Sequence, residues 1–181
     1  MLLSCWCYLL GIVCVLLGGT AVAAPVAMSR VWNALPRNKA AGYVLSALAW
    51  AWAGYALWVM GLDILMPFKK YLPVAVLVCI PLTWFWLDNL LSCRALGGLL
   101  TLFPYELLHV ARVHPSAWRL VAVTLAYLCI VWGMTLLLYP WKLRQAIAWA
   151  TARPAIFRSI GALHVLVGVV LIGLGALVLR G

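Results

Sequence analysis

Residues 71–103, YLPVAVLVCIPLTWFWLDNLLSCRALGGLLTLF, set the helix count of this chain. A membrane-crossing helix takes about 20 mostly apolar residues. This stretch is longer than one crossing needs, and Asp88, Asn89, Ser92 and Arg94 interrupt it. Two short helices joined by a tight polar turn fit the pattern, as does one span followed by a re-entrant half-helix. The two-helix reading is preferred. In a turn, Asp88 and Arg94 reach the headgroups and need no function. In a single tilted span they would be buried polar groups, paired with each other or lining a proton or ion path.

Outward from this stretch, the apolar runs Leu2 to Ala24, Ala40 to Leu62, Trp118 to Tyr139 and Ile160 to Leu179 each match one crossing. The expectation is one all-α polytopic domain over residues 1–181 with about six transmembrane helices, five being the alternative. The first run ends in an A-x-A-like sequence at Ala21 to Ala23, but residues 1–7 hold no Lys or Arg and Cys14 lacks a lipoprotein context, so residues 1–24 read as an uncleaved helix.

Composition agrees. The chain is 68% hydrophobic and 9% charged, with a mean hydropathy of +1.12, where soluble domains carry roughly 25% charged residues. That excludes an ordinary soluble domain and a disordered chain. Thirteen Lys and Arg face three acidic residues, for a net charge of +10. Nucleic acid is not the expected partner, because it requires a basic surface on a water-facing body. Short basic loops meeting anionic headgroups account for the charge. Membrane lipids, with other integral membrane proteins or a second copy of the chain, are the expected partners, and a cell membrane, such as a bacterial inner membrane, the expected location.

An internal repeat marks the helix ends. A glycine precedes a proline by six or seven residues in Gly18-Gly19-TAVAA-Pro25, Gly61-LDILM-Pro67, Gly97-Gly98-LLTLF-Pro104 and Gly133-MTLLLY-Pro140. Proline lacks an amide proton and disfavours helix in the residue before it, so each is expected to end a span. Glycine a turn or two earlier lets a neighbouring helix approach. After Pro25, Pro104 and Pro140 come amphipathic, basic linkers, VAMSRVWNALPRNK, YELLHVARVHPSAWR and WKLRQAIAWATARPAIFR. In the last, Leu143, Ala146, Ile147 and Ala150 share one face, as in a helix lying in the interface. Trp141, Lys142, Arg144, Arg153 and Arg158 are its interfacial residues.

Residues 126–179 resemble the YjeT-like family of small two-helix inner-membrane proteins of unknown function. The resemblance rests on the helix ending Leu138-Tyr139-Pro140, the basic amphipathic linker, Arg158, and a glycine-rich second helix with Gly161 and Gly168. It implies a helix–linker–helix unit and carries no activity.

Few residues can carry chemistry. His164 lies between Gly161 and Gly168, so a shared face with Gly175 is expected, where it would bind a cofactor such as haem or donate one hydrogen bond to a neighbouring helix. A bis-histidine haem needs a second histidine at that depth, and His109 and His114 fall in a predicted linker. Glu106-x-x-His109 is half of a di-iron motif, but three acidic residues cannot complete the site; a surface contact to His109 or Arg112 is expected instead. The six cysteines sit almost entirely in spans, where they act as small apolar residues. Cys5 and Cys7 diverge by about 200° on a helix. No P-loop, Rossmann glycine pattern or Ser-His-Asp set occurs. No cofactor is required and none is identified.

Among eleven tryptophans, Trp6, Trp32, Trp84, Trp86, Trp118 and Trp141 fall near span ends, as in an aromatic belt. Trp50, Gly54 and Trp58 form a bulky stripe with a notch. Glycine stripes at Gly11 and Gly18 on the first helix and at Gly161, Gly168 and Gly175 on the last are expected to meet another protein, because terminal helices have few neighbours in their own chain. The resulting expectation is a non-catalytic subunit or assembly factor of a larger membrane complex, respiratory or photosynthetic for instance. A small transporter or channel, or a redox or cofactor protein using His164, are the alternatives. With six spans, Arg30, Arg37, Lys39, Arg94, Lys142, Arg144, Arg153 and Arg158 share one side, and Lys69, Lys70, Arg112, Arg119 and Arg180 the other. The richer side is then cytoplasmic, with both termini outside. Five spans divide the bases almost evenly.

Overall fold

The computed structural model describes residues 2–60, 63–87, 90–113 and 115–177. Gly61, Asp88, Asn89, His114 and Arg180 lie outside them. The described chain is helical throughout: α1 (Leu2–Ala23), α2 (Pro25–Ala34), α3 (Lys39–Val59), α4 (Leu72–Trp86), α5 (Leu91–Val113), α6 (Arg119–Leu138), α7 (Pro140–Thr151) and α8 (Pro154–Leu177), with 3-10 segments at Leu35–Arg37 and Asp63–Tyr71. Five segments are long and apolar enough to cross a membrane: Leu3–Ala23, Lys39–Val59, Met66–Trp86, Arg119–Leu138 and Pro154–Leu177. This is an all-α, multi-pass membrane protein.

The stretch at 71–103 forms two helices with a break between Trp86 and Leu91. The second, α5, has 23 residues and is about 35 Å long, enough for a crossing, although Arg94, Glu106 and Arg112 lower its hydropathy. Its path is constrained by α2 and α7. Asn33 Nδ2 of α2 donates to Thr151 Oγ1 of α7 at 3.2 Å, so the segments that follow α1 and α6 share one end of the bundle. An even number of traverses must separate them, so α5 crosses as well, fourth in chain order, and brings the count to six.

The proline rule holds at two of its four sites. Ala24 (φ −130°, ψ 62°) and Tyr139 (φ −125°, ψ 67°) leave the helical region, and Pro25 and Pro140 then open α2 and α7, where a missing N–H costs nothing. Pro67 instead lies inside a 3-10 segment. Pro104 is a plain correction: α5 runs through it to Val113, and its ring is fully buried. A proline inside a helix sacrifices a backbone bond, which is tolerated where neighbouring helices enclose the site. The expected surface linker at 105–113 is therefore helix.

That enclosure reflects the place of α5 as the axis of the bundle. At one end Leu107 and Ala111 pack with Leu3 and Cys7 of α1 and Ala122 and Ala126 of α6. At the other, Cys93 packs with Leu136, Leu143 and Ile147. The apolar face of α7 thus caps the protein rather than lying on lipid. Its outer side keeps the expected character: Trp141, Arg144, Arg153 and Arg158 are exposed, and Lys142 Nζ stands 4.7 Å over the Trp141 ring.

Arg119 closes the opposite end of α5. Its Nη1 donates to Arg112 O at 2.9 Å and Ala111 O at 3.3 Å, supplying partners for carbonyls that a helix end leaves free. Arg119→Ala should lower unfolding stability in detergent by about 1 kcal/mol, discounted for partial exposure. Arg119→Lys should recover part of that loss. An unchanged melting profile for Arg119→Ala would remove this cap from the account.

Candidate functional site: the α3–α5 cleft

Two of the glycine expectations end in packing. Gly11, Gly18, Gly161, Gly168 and Gly175 form a seam between α1 and α8, antiparallel to each other. A Cβ on Gly161 would lie 2.9 Å from Gly18 O, one on Gly168 would lie 2.6 Å from Gly11 O, and one on Gly175 would lie 3.3 Å from Ser4 O. The expectation that these stripes face another protein is corrected: each is occupied by the other. The same device joins α5 to α6, where Cβ atoms on Gly97 and Gly133 would each meet the other's carbonyl at 2.8 Å. In lipid, such close approach is what holds helices together. The notch at Gly54 is filled by Val76 of α4.

His164 does not share the glycine face. Gly161, Gly168 and Gly175 are buried while His164 is exposed, because three residues turn a helix through 300° and leave the side chain about 60° off the stripe. Its Nδ1 lies 2.8 Å from Ile160 O. A carbonyl only accepts, so Nδ1 carries the proton and Nε2 is left as an acceptor. The ring borders a groove of about 320 Å³ together with Trp32, Trp132 and Trp149. His109 sits on α5 against the Tyr105 ring at 6.4 Å, and among the described residues no three His, Cys, Asp or Glu side chains are grouped to hold a metal. The expected contacts of Glu106 with His109 or Arg112 do not form among the described residues.

Arg94 is where the structure adds most. It lies in the first turns of α5, not in the turn before it, and it borders a cleft of about 330 Å³ between α3, α4 and α5. Asp88, its expected companion, lies outside the described residues. Arg94 Nε is sealed from solvent and has no hydrogen-bond partner. Three hydroxyls share the cleft. Ser46 Oγ donates to Tyr43 O at 3.0 Å and accepts from Trp84 Nε1 at 2.8 Å. Thr83 donates to Ile80 O at 2.7 Å and Thr101 to Gly98 O at 2.8 Å. Their protons are committed to their own helices, which leaves the guanidinium, beside the Trp50 indole N–H, as the cleft's uncommitted donors. Ala49, Ala53, Gly98, Leu102 and Leu137 make the rest of the wall apolar.

The mouth of this region is fixed by polar ties. Asn38 Oδ1 accepts from Ala41 N at 3.2 Å, capping α3, and Ser92 Oγ donates to Asn38 O at 2.8 Å, joining the start of α5 to that cap. The Tyr43 and Trp84 rings meet at 4.9 Å, tilted by 42°, and with the Trp84–Ser46 bond they hold α4 at its far end. Two of the span-end tryptophans, Trp6 and Trp84, thus serve packing, Trp6 against Phe103 at 5.4 Å, while Trp86 and Trp118 stay exposed. At the start of α3, Arg37, Lys39 and Arg144 line a polar recess that shares Leu91 with the cleft. The sequence pointed to Arg94; Ser46 and Thr101 carried no signal, because a serine or threonine in a span is ordinary.

Comparison with family models, with curated proteins and with solved structures gives no match.

Proposed function

We propose that this chain is a non-catalytic subunit or assembly factor of a larger membrane assembly, seated in a cell membrane, with α4 as the partner-facing helix. The glycine seams no longer support this reading, since they are filled from within. The observation that carries it is α4 itself. Its 15 residues include none that is buried, and α3 is the long helix on which it mainly packs. At about 22 Å it is also shorter than the roughly 30 Å hydrocarbon layer. It is extended by a 3-10 segment containing Pro67, whose backbone bonds are poorer than those of an α-helix. Lipid covers a short, irregular crossing badly; a helix of another membrane protein covers it well. The resemblance of residues 126–179 to YjeT-like proteins supports the helix–linker–helix arrangement of α6, α7 and α8 and is silent on partners.

The test is photo-crosslinking in intact membranes from positions 77 and 85, where Leu77 is 69% and Phe85 87% exposed, with Leu163 of α8 as control. Leu77 and Phe85 should give one protein adduct of defined mass, and Leu163 should give lipid only. Lipid adducts alone at all three positions would overturn the reading.

A second reading, a small carrier, is favoured by one observation: Thr83 of α4 and Arg94 of α5 line one cleft. The cofactor reading of His164 keeps a single ring nitrogen, with no second histidine or cysteine lining its groove among the described residues.

A further inference from the structure

We propose that the α3–α5 cleft binds an anionic amphiphile from the bilayer, an acidic lipid whose oxyanion meets Arg94 and whose chain lies along Ala49, Ala53, Gly98 and Leu102. This site stands whether the chain serves as a subunit or as a carrier.

The argument begins with charge. Arginine stays protonated at every physiological pH, and a cation where a helix enters the hydrocarbon layer is stabilised by an anionic partner. Arg94 has none among the described residues, and its Nε is closed off from solvent. A planar fork of N–H donors is matched by a carboxylate or phosphate. The hydroxyls nearby are weaker candidates for the ligand's charge, because their protons are already donated to Tyr43, Ile80 and Gly98 carbonyls.

The shape of the cleft then selects an amphiphile over a bare ion. At about 330 Å³ it falls within the usual ~300–1,000 Å³ of ligand pockets, far more than an inorganic anion fills. The polar group stands at one end. From Arg94 to Leu102 is about 12 Å along α5, and that run of the wall is small or apolar. The space exists because Gly98 faces Ala49 with nothing nearer than 3.7 Å to a Cβ built on it. A leucine there would grow into the cleft without entering the α5–α6 seam, which is made by Gly97.

The experiment uses the full chain, delipidated in detergent and reconstituted into nanodiscs of equal phosphatidylglycerol and phosphatidylcholine. After extraction in mild detergent, retained lipid is counted by native mass spectrometry. The wild-type chain should keep one phosphatidylglycerol and at least tenfold less phosphatidylcholine. Arg94→Gln should lose that preference, Arg94→Lys should weaken it several-fold, and Gly98→Leu should lose retention with helical content and melting unchanged. An Arg37→Gln/Arg144→Gln variant, which alters the neighbouring basic recess but no residue lining the cleft, should keep the lipid. If Arg94→Gln does not fold, Gly98→Leu and Arg94→Lys decide.

Equal retention of both lipids by the wild-type chain overturns the proposal, as does retention of phosphatidylglycerol by Gly98→Leu. Displacement of the lipid by millimolar inorganic phosphate means a site for a free anion and also overturns it. If Asp88 is instead the counter-ion of Arg94, the wild-type chain will hold no lipid and Asp88→Asn will acquire one, and that too sinks the proposal.

Discussion

Gly168→Leu should lower the melting temperature of the detergent-solubilised chain by on the order of 10 °C, and Gly19→Ala should leave it unchanged. A Cβ at 168 would lie 2.6 Å from Gly11 O, 2.7 Å from Val15 Cγ2 and 3.0 Å from Val15 N. Two of those atoms are backbone, so no side-chain rotation relieves the clash and α8 must move bodily. The seam is continuous from Gly18–Gly161 to Ser4–Gly175, so a shift at its centre opens both ends. Overpacking costs typically 1–3 kcal/mol, and a chain of this size loses about 2–4 °C per kcal/mol. Gly19 meets nothing within 4 Å, which makes it the matched control. Equal melting of the two variants would refute the seam. The prediction also constrains how assembly phenotypes are read: a defect from Gly168→Leu reports damage inside this chain and says nothing about a partner.

Single cysteines introduced at Ser29 and Arg144 should react with an impermeant thiol reagent from the same side of the membrane, and one at Lys70 from the opposite side, each at least tenfold above the unmodified chain. Ser29 belongs to α2 and Arg144 to α7, and the Asn33–Thr151 bond holds those helices together. Six crossings put both on the side that carries eight of the thirteen bases, and the positive-inside rule makes that side cytoplasmic. Five crossings, with α5 not traversing, would place Ser29 and Arg144 on opposite sides. The outcome is close to all-or-none. Labelling of Ser29 and Arg144 from different sides would overturn the path drawn for α5.

Much of this architecture was legible one residue at a time. Runs of about 20 apolar residues located four spans, and the polar cluster after Trp86 located the break between α4 and α5. Pro25 and Pro140 ended their helices as the sterics of the preceding residue require. Pro104 obeyed a different rule, since whether a proline stops a helix depends on what encloses it, and α5 is the most enclosed helix of the bundle. Glu106, His109 and Arg112 moved with it from a surface linker onto that helix. His164 was misplaced because a spacing of three or four residues only approximates a common face, and 60° is enough to turn a side chain out of a seam.

The sequence by itself determined that this chain lives in a membrane, where its crossings begin and which glycines permit close approach. Those properties follow from hydropathy and backbone chemistry, which act locally. Tertiary structure alone decided that the stripe of α1 meets the stripe of α8, that Gly97 meets Gly133, and that Ser46, Thr83, Arg94 and Thr101 share one cleft. In lipid every apolar face is equally satisfied, so hydrophobicity does not choose partners; shape does. The fit of one helix against another, and the gap left where none fits around Arg94, exist only in three dimensions.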